Sequence, residues 1–211
     1  NKMFSTFGVM GIYEAVENMM TITNKSFDTL MEEILVYLNN KVKEYSKEYG
    51  LFGNIEAIPG ESFAVRLAKS DKLIFGDDKV KTPLYSNQFI PLWENASIYE
   101  RMEKDGKFQG KMTGGSICHF TLGEKITSLQ SEKLIKYAIG VGNEHFALNA
   151  IYSECKNHHN TFGKHVVCPV CGEEIIEYYT RVIGYFSPVS SWNQIRREWE
   201  FPKRVVGTIE N

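Results

Sequence analysis

Residues 155–172 read CKNHHNTFGKHVVCPVCG, and this segment restricts the fold more than any other in the chain. Cys168 and Cys171 form a C-x-x-C followed by glycine, the knuckle that turns two thiolates toward one ion. Cys155 and His158 repeat the two-residue gap, and nine residues separate the two pairs. Two such pairs can close a tetrahedral Cys3His site of the structural zinc kind. The expected ligands are Cys155, His158, Cys168 and Cys171, with His159 a rival for the fourth position and His165 a weaker one. A redox dithiol would place the C-x-x-C at the strand-to-helix junction of a βαβ unit, which is not the pattern here. A closed zinc site pins a ribbon too short to build its own core, and it leaves no open position for catalysis.

The bulk composition adds exclusions. Of 211 residues, 43% are apolar and 24% charged, and the net charge is −2. That balance suits a globular chain and gives no general nucleic-acid or membrane surface. No apolar run is long enough to span a bilayer and no signal peptide is visible, so no membrane partner is expected and the cytoplasm is the default location. In that setting clustered cysteines mean metal or redox chemistry more than disulfides. The opening NKMFSTFGVMGIYEAVENMM has no polar leader and reads like the middle of a fold, as in a fragment or one piece of a split protein.

Periodicity supplies the elements. Phe7 to Met20 reads as a short helix, with Ile12, Val16 and Met19 or Met20 on one face. Ser26 to Gly50 gives the clearest helix, with an apolar stripe from Phe27 to Tyr49, a Ser N-cap and a Gly stop. Ile55 to Ile58 suits a strand. Pro59 and Gly60 then turn the chain into a helix from about Glu61 to Asp71, and a helix start of this kind can meet an anion or be an ordinary β–α turn. Residues 76–115 read mostly as loop, with short strands near Tyr85 to Phe89. Ile117 to Leu122 alternates as a strand after the permissive Gly114 and Gly115, and Ser128 to Gly140 is amphipathic. Cys118, alone on its strand, reads as a small buried apolar residue. Strands alternating with helices indicate an α/β or α+β unit, such as half of a barrel.

The segment YYTRVIGYF, residues 178–186, poses a different question. Its aromatic and β-branched residues suit a strand, and Gly184 in their midst does not. Either the glycine marks a bend, or the chemistry there requires a residue without a side chain.

Arg181, Val182, Gly184 and Tyr185 match the Arg-Val-x-Gly-Tyr core of the glycyl-radical signature. With the Cys-rich ribbon directly before it, PVSSWN after it, and IPGESFAVRLAKSD, PLYSNQF and KMTGGSICHF upstream in that order, the chain resembles the anaerobic, class III ribonucleoside-triphosphate reductases. The resemblance covers essentially the whole chain but only the C-terminal part of such an enzyme. It implies an α/β fold: residues 1–150 as the C-terminal half of a ten-stranded glycyl-radical barrel, 151–176 as the zinc ribbon, and 177–211 as the radical loop and tail. It implies that Gly184 carries the radical, that Arg181 and Tyr185 shape its loop, and that Pro59, Gly60, Glu61 and Ser62 form the substrate turn.

The same resemblance implies partners. These are an S-adenosylmethionine-dependent iron–sulfur activating enzyme, an N-terminal portion carrying the thiyl cysteine, a ribonucleoside triphosphate, and a second copy in a homodimer. Ile183, where one subgroup has cysteine, resembles the enzymes reduced by a thioredoxin- or glutaredoxin-like protein. His158 stands where the commoner ligand pattern has cysteine. A formate-lyase type of glycyl-radical enzyme shares Arg-Val-x-Gly-Tyr but would bring no ribbon before it. A non-catalytic zinc-ribbon interaction module leaves the tyrosine–glycine loop unexplained and usually adds a basic patch, which is absent here.

Overall fold

The computed structural model describes residues 3–209. In chain order the elements are β1 (Phe4–Val9), α1 (Ile12–Thr23), α2 (Phe27–Tyr49), β2 (Phe52–Ala57), α3 (Glu61–Phe75), α4 (Ile98–Phe108), β3 (Cys118–Leu122), α5 (Ser128–Gly140) and β4 (Phe146–Ala150). There follow β5 (Tyr152–Cys155), β6 (Asn160–Phe162), β7 (Ile175–Arg181) and β8 (Phe186–Pro188). A π-helical turn, Arg196–Glu200, runs into a single helical turn, Phe201–Lys203, and the two-residue β9 (Val206–Gly207).

The arrangement is mixed α/β. β1 and β2 lie parallel, with Phe4 opposite Phe52 and Val9 opposite Ala57. β3 is sandwiched between β4 and β9, both parallel to it. A Glu56–Gly115 bridge ties the end of β2 to the segment leading into β3. The Ala57 N–H donates to the Gly115 carbonyl and the Gly114 N–H to the Ile55 carbonyl. Glycine is required at this junction: Gly115 has φ +116, and a Cβ on Gly114 would lie 2.9 Å from the Ile55 carbonyl oxygen. The second half is antiparallel, in the order β6-β5-β7-β8.

Local sequence accounts for most elements. In α2 the Ser26 hydroxyl accepts the Thr29 N–H, Gly50 ends the helix at φ 63, and the stripe buries Leu30, Met31, Leu35 and Val42. Tyr45 and Tyr49, expected in that stripe, are exposed. α1 and α2 pack over β2 through Val16, Leu35 and Ile55. A second core joins α4, β3 and α5 through Met102, Phe120 and Leu134. A third lies under the C-terminal hairpin and contains Ile151, Val182, Val189, Trp192 and Phe201. Each such aliphatic side chain contributes roughly 1.5–3 kcal/mol when fully buried.

Three expectations need correction. The helix expected from Phe7 to Met20 is a strand and then a helix: FSTFGV pairs along β2, and Gly11 at φ 77 turns the chain into α1. The stretch 76–115 contains α4, whose start is a capping box in which Ser97 and Glu100 accept each other's backbone N–H, and no strand forms near Tyr85 to Phe89. Gly184 does not interrupt a strand. Arg181 pairs with Phe186 across a hairpin, and Gly184 sits in the four-residue connection that the Val182 N–H to Tyr185 carbonyl bond closes.

Candidate functional site

The two ends of β7 carry the two constellations. At its N-terminal end Cys155, His159, Cys168 and Cys171 converge, with ligand atoms all within 4.8 Å of one another. Cys155 Sγ lies 3.7 Å from Cys171 Sγ, and His159 Nδ1 lies 3.6, 3.8 and 3.3 Å from the sulfurs of Cys155, Cys168 and Cys171. A tetrahedral zinc with bonds of about 2.3 Å to sulfur and about 2.0 Å to nitrogen sets edges of roughly 3.5–3.8 Å. These four residues therefore fit a zinc ion. Burial pushes the Cys168 thiol up, but the backbone N–H groups of Val170 and Cys171 and the neighbouring thiols outweigh it and bring it down to about 6. Asn157 Nδ2 donates to Cys171 Sγ at 3.6 Å, a further donor to thiolate sulfur.

His159 takes the place expected of His158. The His158 backbone adopts φ 59 and its N–H donates to the Cys155 carbonyl, closing a turn. That turn sends the His158 ring out to Glu154, with Nδ1 2.8 Å from Oε1, and leaves the side chain 79% exposed. The next residue then faces the sulfurs. His165 caps the Phe162 carbonyl through Nε2 and is not in the cluster.

At the C-terminal end of β7, Gly184 is held on both sides of its Cα. Its N–H donates to Glu61 Oε1 at 3.1 Å, and its carbonyl accepts from Arg181 Nη1 at 3.1 Å. Its φ lies outside the left-handed region. A Cβ there would find Glu61 Oε1 at 3.6 Å and Pro59 Cβ at 3.8 Å, ordinary contacts. Neither backbone conformation nor crowding calls for glycine at this position. Val182 and Ile183 are buried, and Tyr185 is exposed with its carbonyl in the turn.

A buried ionic brace fixes this loop. Arg204 donates to the carbonyls of Arg181 at 2.6 Å and Val182 at 2.5 Å. Glu200, with no exposed side-chain surface, accepts from Arg204 at 2.6 Å and from Arg196 at 2.5 Å. Arg196 Nε in turn donates to the Glu61 carbonyl at 2.9 Å. Arg196 is buried, whereas its neighbour Arg197 is exposed. The i, i+4 spacing of Arg196, Glu200 and Arg204 was visible in the sequence; its buried setting was not.

Gly184 and Arg181 line a cavity of about 230 Å³ together with Glu56, Pro59, the Gly114–Gly115 turn, His119 and His145. His119 was read only as one residue of an alternating strand. It is buried on β3, its N–H donates to Gln88 Oε1, and Nδ1 lies 3.4 Å from Asn149 Nδ2. Burial, then the positive charges of Arg181 and Arg204, bring its pKa down to about 4, so the ring is neutral at pH 7. Of the expected substrate turn, Pro59 lines the cavity and Glu61 reaches Gly184, while Ser62 is exposed and Gly60 packs under Met10. Cys118 is buried in the second core against Asp105, whose carboxyl burial pushes up to about 7.

Comparison with known proteins assigns this arrangement to a class. A solved anaerobic ribonucleotide reductase superposes on 99% of the chain with a TM-score of 0.85 and 33% identity, the chain covering 35% of that structure. The Thermotoga maritima anaerobic ribonucleotide reductase with glycerol in its active site superposes on 95% of the chain, covering 34% of that structure, with a TM-score of 0.78 and 33% identity. The fold is thus that of a ribonucleotide reductase part. The sequence profile of anaerobic ribonucleoside-triphosphate reductase matches residues 1–206, and the chain belongs to that family. The Enterobacteria phage T4 anaerobic ribonucleoside-triphosphate reductase is 24% identical over 149 residues, which are 67% of this chain and 25% of that protein. The chain spans about a third of the solved relatives and a quarter of the phage protein.

Proposed function

We propose that this chain is the radical-bearing part of a reductase that converts ribonucleoside triphosphates to deoxyribonucleoside triphosphates, with Gly184 as the radical residue. The observation that carries the reading is Gly184 itself: gripped at N–H and carbonyl, at a cavity, with room for a Cβ it does not have. A planar Cα radical is stabilised by the adjacent nitrogen lone pair and carbonyl, and a side chain would crowd that planarity. Family membership supports the same chemistry.

In this reading, an S-adenosylmethionine-dependent iron–sulfur activating enzyme would supply the one-electron oxidant, and this chain would give up one hydrogen from the Gly184 Cα to it. The glycyl radical then takes hydrogen from a cysteine thiol in the remainder of the reductase, and the thiyl takes the substrate's 3′-hydrogen. The 2′-hydroxyl leaves as water with one proton, a thioredoxin- or glutaredoxin-like dithiol supplies two electrons and two protons as it becomes a disulfide, and the cysteine returns its hydrogen to C3′, which restores the thiyl and then the glycyl radical. Arg181 and Tyr185 shape the loop. Pro59, Gly60, Glu61 and Ser62 form the turn that meets the nucleotide, beside the cavity that Pro59 lines.

Zinc, held by Cys155, His159, Cys168 and Cys171, would staple the ribbon and take no part in the chemistry. The outer edge of β1 has no strand partner among the described residues, and Phe4 and Phe7, on opposite faces of that strand, are both exposed. We assign this edge to completion of a ten-stranded barrel by the remainder of the reductase. The test is anaerobic turnover. The chain is combined with that remainder, the activating enzyme, S-adenosylmethionine, a dithiol reductant and ribonucleoside triphosphates. Deoxyribonucleotide formation that Gly184→Ala abolishes is expected; undiminished turnover by Gly184→Ala contradicts the reading.

A further inference from the structure

Charged groups of opposite sign act on the two sides of the Gly184 Cα. On the nitrogen side the acceptor is the Glu61 carboxylate; on the carbonyl side the donor is the Arg181 guanidinium. Hydrogen bonds with one ionised partner are about twice as strong as neutral ones. A radical at Cα draws density from the amide nitrogen and spreads spin into the carbonyl. A carboxylate on the N–H makes the nitrogen a better donor. A guanidinium on the oxygen makes the carbonyl a better acceptor. The two charges therefore push and pull in the same direction along N–Cα–C=O.

The placement of these groups is built into the fold. Glu61 holds φ 23, a conformation that side-chain-bearing residues rarely adopt and that surrounding structure must impose. Arg196 fixes its carbonyl from one side while its carboxylate reaches across 123 residues of sequence to Gly184. Arg204 fixes the Arg181 carbonyl, so the Arg181 side chain leaves from a clamped backbone. Glu200 joins Arg196 and Arg204, so one buried carboxylate sets both halves of the grip.

We infer that Glu61 and Arg181 are an electrostatic pair that sets the stability and spin distribution of the Gly184 radical. This rests on the reading of Gly184 as the radical residue. The pair acts on the radical directly, beyond any role of the 59–62 turn toward substrate, and its effect is present with no nucleotide bound.

The test is anaerobic EPR of the activated reductase without nucleotide, in the unsubstituted form and as Glu61→Gln and Arg181→Gln. Glutamine keeps an acceptor at position 61 and a neutral donor at position 181. Each variant is expected to show a larger splitting from the remaining α-hydrogen, because less spin leaves Cα. Each is also expected to show a shorter radical half-life, by about tenfold for the loss of roughly 1.4 kcal/mol of charge-assisted bonding. A merely structural role would lower the radical yield and leave the splitting alone. If one variant does not fold, the other still decides. Unchanged splitting and half-life in a folded variant overturn the inference and leave Gly184 as the radical residue. No α-hydrogen doublet in the unsubstituted protein overturns the reading of Gly184, and the inference with it.

Discussion

At the N-terminal end of β7 the chain comes out of a knuckle whose Val166, Val167 and Val170 are all exposed, and what converges there is the Cys155–His159–Cys168–Cys171 cluster, with Cys155 and Cys168 buried and Cys171 at the surface. At the C-terminal end of β7, seven residues and about 23 Å away, Val182 is packed with Trp192 and Phe201, and Arg204 clamps two carbonyls of the loop. One end depends on ligand atoms and the other on an apolar core with an internal ion pair network. A single strand thus joins a part whose side chains converge on a candidate metal site to a part packed around its own core. On the proposed reading the difference suits the two tasks: the ribbon end only has to be closed, whereas the loop end has to hold one backbone N–H and one carbonyl in fixed places.

The largest expected effect is at the ribbon end. Structural zinc in small domains contributes about 10–16 kcal/mol of apparent binding energy at neutral pH. Cys168→Ser, or a strong chelator, should therefore abolish amide-exchange protection of β5, β6 and the start of β7 while Trp192 keeps its buried emission. Simultaneous loss of both signals would break the comparison by showing that the loop end has no independent stability. His158→Ala should leave zinc content unchanged and His159→Ala should lower it, as read by metal analysis.

Next in size is the brace. Glu200→Ala leaves Arg196 and Arg204 buried without their shared partner, which should cost about 3–5 kcal/mol in urea unfolding. Zinc content should not change, because the metal cluster lies at the other end of β7.

Acid should affect both ends, by separable routes. His119 titrates near 4 in the fold and near 6.5 in the unfolded chain, so between those values the unfolded state binds more protons. Its contribution is fully present above about 6.5 and is lost as pH falls toward 4, with a slope of at most about 1.4 kcal/mol per pH unit. His119→Gln should remove this slope when unfolding is followed in metal-free samples, where protonation of the zinc ligands no longer contributes. Persistence of the full slope would place the acid sensitivity elsewhere.

How much of this was legible in the sequence differs between the two ends. The knuckle was written locally: C-x-x-C-Gly and an upstream Cys–His pair are enough to place a metal site. The fourth ligand was not, because the left-handed turn at His158 decides which of two adjacent histidines faces the sulfurs, and nothing in the neighbouring residue types announces it. α2, β3 and α5 followed from period and caps. α4 carried an equally plain capping box in Ser97 and Glu100 that a reading of the stretch as loop passed over. The loop end was legible only in its signature residues. That Arg196, Glu200 and Arg204 turn inward, that Glu61 meets Gly184, and that His119 faces the same cavity are long-range contacts, and no local periodicity encodes them.

The smallest expected stability change belongs to the proposed radical residue. Gly184→Ala should shift unfolding by within about 1 kcal/mol, since the backbone conformation and the space around Cα both accept a methyl group. A large destabilisation would mean that the glycine serves the turn and not the chemistry.

The most direct measurement is the anaerobic EPR spectrum of the activated reductase prepared with glycine deuterated at Cα, beside unlabelled protein and a folded Gly184→Ala control. If Gly184 carries the radical, the unlabelled protein shows a doublet from one α-hydrogen, deuteration collapses it, and the control gives no signal. A doublet that survives deuteration, or that Gly184→Ala retains, would place the radical on another residue.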